Sequence, residues 1–170
     1  MALSHRERVL TALSHQEPDR IPFDLGSTIC SSIHVVEYQK LKAHFGIEAE
    51  DTIINKMMQT AAIHEPILKT LDIDLRGVVP GVPDSKPYLP VGEDGYQDEY
   101  GVVRHKPPSS FYYDLAKCPL AGPITIQDII NFPWPDPSDP GYTRGMRDRL
   151  LYYREKTDYA TVLRLPVPFV

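Results

Sequence analysis

Apolar residues recur at helical spacing in several stretches of the chain, and short β-rich runs separate them. Val9, Leu10 and Leu13 form a stripe behind the box Ser4-x-x-Glu7, which predicts a helix ending before Pro18. Val35, Tyr38 and Leu41 predict a second helix over 33–45, with Gly46 placed to terminate it. The loop before it, Gly26-Ser-Thr-Ile-Cys-Ser-Ser32, ends in serines suited to cap that helix. Two further helical pieces are expected over 51–60 and 65–71, with Pro66 in the first turn of the latter. Thr125 and Asp128 frame a short helix to Asn131, and Tyr142, Met146, Leu150 and Tyr153 share one face of a helix over 142–156.

Three segments read as strands of the core: Arg20-Ile-Pro-Phe-Asp-Leu25, Asp72-Ile-Asp-Leu-Arg-Gly-Val-Val79, and the apolar run over 159–170. Between the second and third, residues 80–95 are dense in Pro and Gly, and 98–104 is expected to pair with 111–114 as a β-hairpin. Residues 80–118 are therefore an excursion inside a single domain over 1–170. The run Phe132-Pro-Trp-Pro-Asp-Pro-Ser-Asp-Pro140 excludes regular structure, because proline fixes φ and removes a donor. Strands separated by helices imply an α/β fold of parallel units. No turn, cap or polar tail follows the apolar 162–170 run, so the chain is expected to be truncated.

Composition narrows the class. The chain has 170 residues, 17 of them proline, with 42% hydrophobic and 24% charged residues and a net charge of −5. These values suit a globular protein and exclude a disordered, collagen-like or coiled-coil one. The acidic balance lacks the basic patch that nucleic acid requires, and no apolar run reaches the length of a membrane span. The N-terminus breaks into charge at once, so it is no secretory signal. Cys30 and Cys118 form no Cys-x-x-Cys pair; both are expected to be reduced thiols of a cytoplasmic protein.

No glycine-rich phosphate loop or nucleophile elbow is present, and His64-Glu65 fails as a zincin motif because position 68 is Leu68. Several segments do resemble the uroporphyrinogen decarboxylase superfamily. They are Arg6-Glu-Arg-Val-Leu-Thr-Ala-Leu-Ser-His-Gln-Glu-Pro-Asp-Arg-Ile-Pro22, Leu71-Asp-Ile-Asp-Leu-Arg-Gly-Val78, Asp98-Glu-Tyr-Gly101 and Phe132-Pro-Trp-Pro-Asp-Pro137, in that order along nearly the whole chain. The resemblance implies the incomplete N-terminal portion of a TIM (β/α)₈ barrel, with about three of its eight strands. It implies one of two chemistries. Cofactor-independent decarboxylation of uroporphyrinogen, part of porphyrin biosynthesis, uses two arginines after the first strand and an aspartate after the second. Here residues 22–28 hold no arginine, and no carboxylate stands at Val79-Pro80. The other branch is similar in its N-terminal style and transfers methyl groups between a corrinoid partner and a thiol activated by zinc. Its ligands, a His-x-Cys pair and a later Cys, are expected in the other half of such a protein; neither cysteine here has a histidine two residues away. A truncated, non-catalytic chain that binds a partner is a further reading.

In a β/α barrel the reacting groups stand at the C-terminal ends of strands. That selects Asp24, Ser27 and Thr28 after the first strand, Arg76 in the second, and residues near Phe169. Asp24 either serves a ligand or caps its own loop. Arg76 either clamps an anionic substrate or pairs with Asp74. Asp72 and Asp74 share a strand face, as an acid/base pair or as residues of the strand's N-terminal end. An unclosed sheet leaves edges exposed, which predicts a homodimer or other self-association.

Overall fold

The computed structural model describes residues 2–164, so the positions around Phe169 lie outside the described residues. The chain divides into two compact units, residues 1–80 with 145–170, and residues 81–144.

The first unit opens with α1 (His5–Leu13), and its capping box is formed as the sequence predicts. Ser4 Oγ accepts from the Glu7 N–H, and the Glu7 carboxylate accepts from the Ser4 N–H. The predicted apolar stripe is not what α1 buries: Leu10 and Leu13 are exposed, and Arg8 is the buried residue. α2 (Val35–His44) follows, with Gly46 just past its end at φ 64°, a conformation glycine adopts without strain. Its N-cap is His34, whose Nδ1 accepts from the Val36 N–H, and not one of the preceding serines.

The helix expected over 51–60 is instead a hairpin of β1 (Ile53–Asn55) and β2 (Thr60–Ala61). The Asn55 side chain accepts from the Met58 N–H, and Gln59 takes φ 53°; the polar side chain and the left-handed residue close a turn that competes with helix. Tyr38 of α2, Ala61 of β2 and Ile67 of α3 (Glu65–Thr70) form a buried cluster. Pro66 stands in the first turn of α3, as expected.

β3 (Leu75–Val78) pairs in parallel with β8 (Ala160–Leu163), in register from Leu75 opposite Ala160 to Val78 opposite Leu163. α6 (Met146–Lys156) precedes β8 and packs on both strands, giving the parallel β/α arrangement that the order of elements predicts. The predicted first strand, 20–25, is not a regular strand. Its one direct ladder bond is from the Asp74 N–H to the Phe23 carbonyl at 2.9 Å. It still runs beside β3 in the same direction, since Phe23 meets Asp74 and Ser27 meets Gly77. A Cβ on Gly77 would lie 1.8 Å from the Ser27 carbonyl oxygen, so only glycine allows this approach. Regular parallel pairing among the described residues is that of β3 with β8, with the 23–27 segment lying against β3. No closed barrel exists among the described residues.

The second unit holds a four-stranded antiparallel sheet in the order β4 (Leu89–Val91), β5 (Gly95–Gln97), β6 (Val103–His105), β7 (Asp114–Lys117). The hairpin expected between 98–104 and 111–114 forms as β6–β7 but displaced, with 98–102 and 111–113 outside the strands. β4 lies in the stretch read from sequence as turns, and β5 begins at its end. Pro90 sits on an edge strand, where a missing donor costs no ladder bond. Tyr96 is the buried centre, its ring 5.3 Å from Tyr88 and 5.0 Å from Tyr113. α4 (Ile126–Asn131) carries the predicted Thr125/Asp128 capping box. The helix expected to begin at residue 142 is two helices, α5 (Pro140–Thr143) and α6, because Gly145 between them takes φ 67°.

Candidate functional site

Asp24, Ser27 and Thr28 come together in the loop that follows Phe23 beside β3. Asp24 is exposed, and its Oδ2 accepts from Ser27 Oγ at 2.6 Å while Oδ1 accepts from the Ser27 N–H at 3.2 Å. The aspartate therefore caps its own turn, and its other lone pairs face outward. Thr28 Oγ1 accepts from the Cys30 and Ser31 N–H groups, both at 3.2 Å, and Ser31 Oγ accepts from the Thr28 N–H at 3.0 Å. The Gly26 N–H donates to the Ser31 carbonyl at 2.9 Å and closes the loop. Gly26 has φ 78°, and a Cβ there would meet Ile63 Cγ1 at 2.7 Å, so β2's following segment fixes the loop from behind. Ser27 is buried against Gly77, whereas Asp24 and Cys30 are exposed and Thr28, Ser31 and Ser32 half-buried.

Arg76 is not brought to this loop. It is buried in mid-β3, with Nε and Nη2 donating to the Glu65 carboxylate at 2.9 and 3.0 Å. Nη1 donates to the Ile73 and Leu75 carbonyls, both at 2.9 Å, and the guanidinium lies 3.6 Å from the centre of the Tyr159 ring. Its ion-pair partner is thus Glu65 and not Asp74. The bidentate geometry fixes α3 to β3.

Asp74 instead centres a charged hub at the opposite, N-terminal end of β3. It is fully buried. Oδ1 accepts from Arg8 Nη1 at 2.6 Å and meets His5 Nδ1 at 2.8 Å; Oδ2 accepts from Arg20 Nη1 at 2.6 Å and from the Phe23 N–H at 2.7 Å. Asp19 accepts from Arg8 Nε at 2.7 Å, and Asp72 from Arg20 Nη2 at 2.6 Å. Burial pushes the Asp74 carboxyl up, but hydrogen bonds from Phe23, His5, Arg20 and Arg8 outweigh it and hold it down at about 2. The Arg8 hydrogen bond likewise holds Asp19 well below the usual carboxylate range. Of the two aspartates that the sequence set on one strand face, Asp74 is enclosed and Asp72, at φ 52°, stands largely in solvent. They are not an acid/base pair.

Sequence reasoning missed the convergence of Arg8 and Arg20 on Asp74. Arg8 stands off the Val9, Leu10 and Leu13 stripe, so the apolar pattern of α1 gave no signal for it. It missed Arg6 as well, which donates to the Tyr153, Arg154, Thr157 and Tyr159 carbonyls and so collars the C-terminal end of α6.

What the loop offers chemically is one exposed carboxylate, the Thr28 hydroxyl and a free thiol on a backbone fixed by local bonds. That set can hydrogen-bond a hydroxyl or amine and hold a proton; Ser27 has no histidine beside it to make a nucleophile. No group of three or more His, Cys, Asp or Glu side chains able to hold a metal occurs among the described residues. No helix among them is long and apolar enough to cross a membrane. Fold and site together define a mixed α/β protein with a parallel strand pair and a polar loop beside it. No protein-family model matches the chain, and neither does any curated protein or any solved structure.

Proposed function

We propose that this chain is the N-terminal part of a (β/α)₈ enzyme of the uroporphyrinogen decarboxylase superfamily, in its corrinoid-linked, zinc-dependent methyl-transfer branch. One observation carries the reading. β3 and β8 pair in parallel with α6 before β8, the 23–27 segment passes along β3 with Asp24, Ser27 and Thr28 in its loop, and an ion-pair hub stands at the N-terminal end of β3. In such barrels chemistry belongs to the C-terminal face and stabilising networks to the other. Zinc would activate the acceptor thiol by favouring its thiolate. Cys30 and Cys118 do not fit the metal's ligand pattern, so the chain's own share is to bind and orient substrate or the corrinoid partner through Asp24 and Thr28. Decarboxylation is the weaker alternative: residues 22–28 hold no cation for a polycarboxylate, and Arg76 is committed to Glu65.

The test is methyl transfer from methylcobalamin to a thiol by the protein translated through its natural reading frame, with zinc supplied. Asp24→Ala should lower kcat/KM by about tenfold, as for a lost hydrogen bond to substrate. It is assayed at a temperature where circular dichroism shows the variant folded, since the turn loses its cap as well. Carbon dioxide release from uroporphyrinogen without methyl transfer would replace this reading with decarboxylation. Neither activity would leave a non-catalytic partner-binding chain.

A further inference from the structure

His5 supplies the imidazole of the Asp74 hub, and imidazole is the side-chain class whose ordinary charge change falls between pH 5 and 8. The other members are fixed. Asp19, Asp72 and Asp74 supply three carboxylates, and Arg8 and Arg20 supply two guanidinium groups. Only a protonated His5 makes this set electroneutral. Its ring is wedged between two of the carboxylates, with Nδ1 2.8 Å from Asp74 Oδ1 and Nε2 3.6 Å from Asp72 Oδ1.

The tautomer follows from the partners. An ionised Asp74 can only accept, so Nδ1 carries a proton in both charge states of the ring. In the neutral ring the Nε2 lone pair then faces Asp72, itself an acceptor. The second proton, taken from solvent, lands on Nε2 and turns that contact into an attraction. The remaining groups around the ring are few. The Tyr159 ring lies 4.8 Å away, with Arg76 on that ring and Glu65 on Arg76. Asp158 neighbours Tyr159, and its carbonyl accepts from the Arg6 N–H at 2.7 Å.

We propose that His5 is a proton-operated latch, which fastens α1 to the N-terminal end of β3 when Nε2 is protonated and loosens it when Nε2 is not. Because α1 also packs on β8 and collars α6 through Arg6, the latch sets how firmly the first helix closes over the parallel strands. This does not depend on the enzymatic reading.

The test is amide hydrogen exchange of the whole chain from pH 5.5 to 8, corrected for intrinsic rates, beside the nitrogen shifts of the His5 ring. We expect α1 protection to fall by about threefold to fivefold across that range, the size of a partly exposed ion pair. His5→Gln should flatten the dependence. Asp72→Asn should shrink it while His5 Nδ1 stays protonated. Protection that is flat with pH in the parent chain, or equally pH-dependent in His5→Gln, would overturn the latch. So would a neutral ring protonated at Nε2 alone.

Discussion

Replacing Asp74 by alanine measures how much of the first unit rests on one carboxylate. The substitution leaves the buried Arg8 with Asp19 as its remaining carboxylate partner and takes the acceptor from the Phe23 N–H. Removing one partner of a buried ion pair costs about 3–5 kcal/mol. The depressed Asp74 carboxyl gives a second figure. A carboxyl held at about 2 instead of its ordinary 3.8 corresponds to about 2–3 kcal/mol of native-state stabilisation. Alanine should exceed that figure, since protonation keeps both oxygens in place whereas alanine strands their donors. We expect a loss of about 3–4 kcal/mol at pH 7, a large share of the ~5–15 kcal/mol available to a domain. Urea unfolding followed by circular dichroism reads it, with the m-value unchanged. The sign of the pH dependence follows from a folded value below the unfolded one. The contribution is complete above about 3.8 and disappears as pH falls through about 2. Asp74→Asn should lack that acid-sensitive component. A loss at pH 7 below about 1 kcal/mol with an unchanged m-value would refute the assignment of Asp74 as the hub, given the 3–5 kcal/mol expected of a broken buried pair.

Gly77→Ala should destabilise by about 3 kcal/mol or more, because the new Cβ meets the Ser27 backbone and no flexible side chain can give way; the thermal midpoint and soluble yield will show it. Ser4→Ala removes the capping box and should cost about 1 kcal/mol, read by urea titration. Arg76→Ala should cost about 3–5 kcal/mol in the same titration, by leaving the Ile73 and Leu75 carbonyls and Glu65 without their donors. A near-neutral Arg76→Ala would return Arg76 to the list of substrate-binding residues.

Periodicity and capping chemistry made much of the fold legible. Ser4/Glu7, Gly46, Pro66 and Thr125/Asp128 all stand where the sequence puts them, since each acts through neighbours within four residues. What failed was non-local or rested on competition. The 51–60 segment has a helix-compatible pattern, but Asn55 and Gln59 favour a turn, and pairing of Ile53 with Ala61 decides the outcome. The exposure of Leu10 and Leu13 beside a buried Arg8 shows a helix docked by charge rather than by its stripe, which no moment along one helix can reveal. At the candidate site, Asp24 as the cap of its own loop followed from local turn chemistry. The true partner of Arg76 did not, because Glu65 lies on a different element.

The Arg6 collar bears on how this chain is made. A ribosome delivers α1 first, yet the carbonyls it grips belong to residues 153–159, among the last described. That grip must therefore wait until residues 153–159 have emerged, although Arg8 and His5 of the same helix can meet Asp19 and Asp74 sooner. The helix is thus fastened in two stages, first by its carboxylate partners and then by the carbonyl collar.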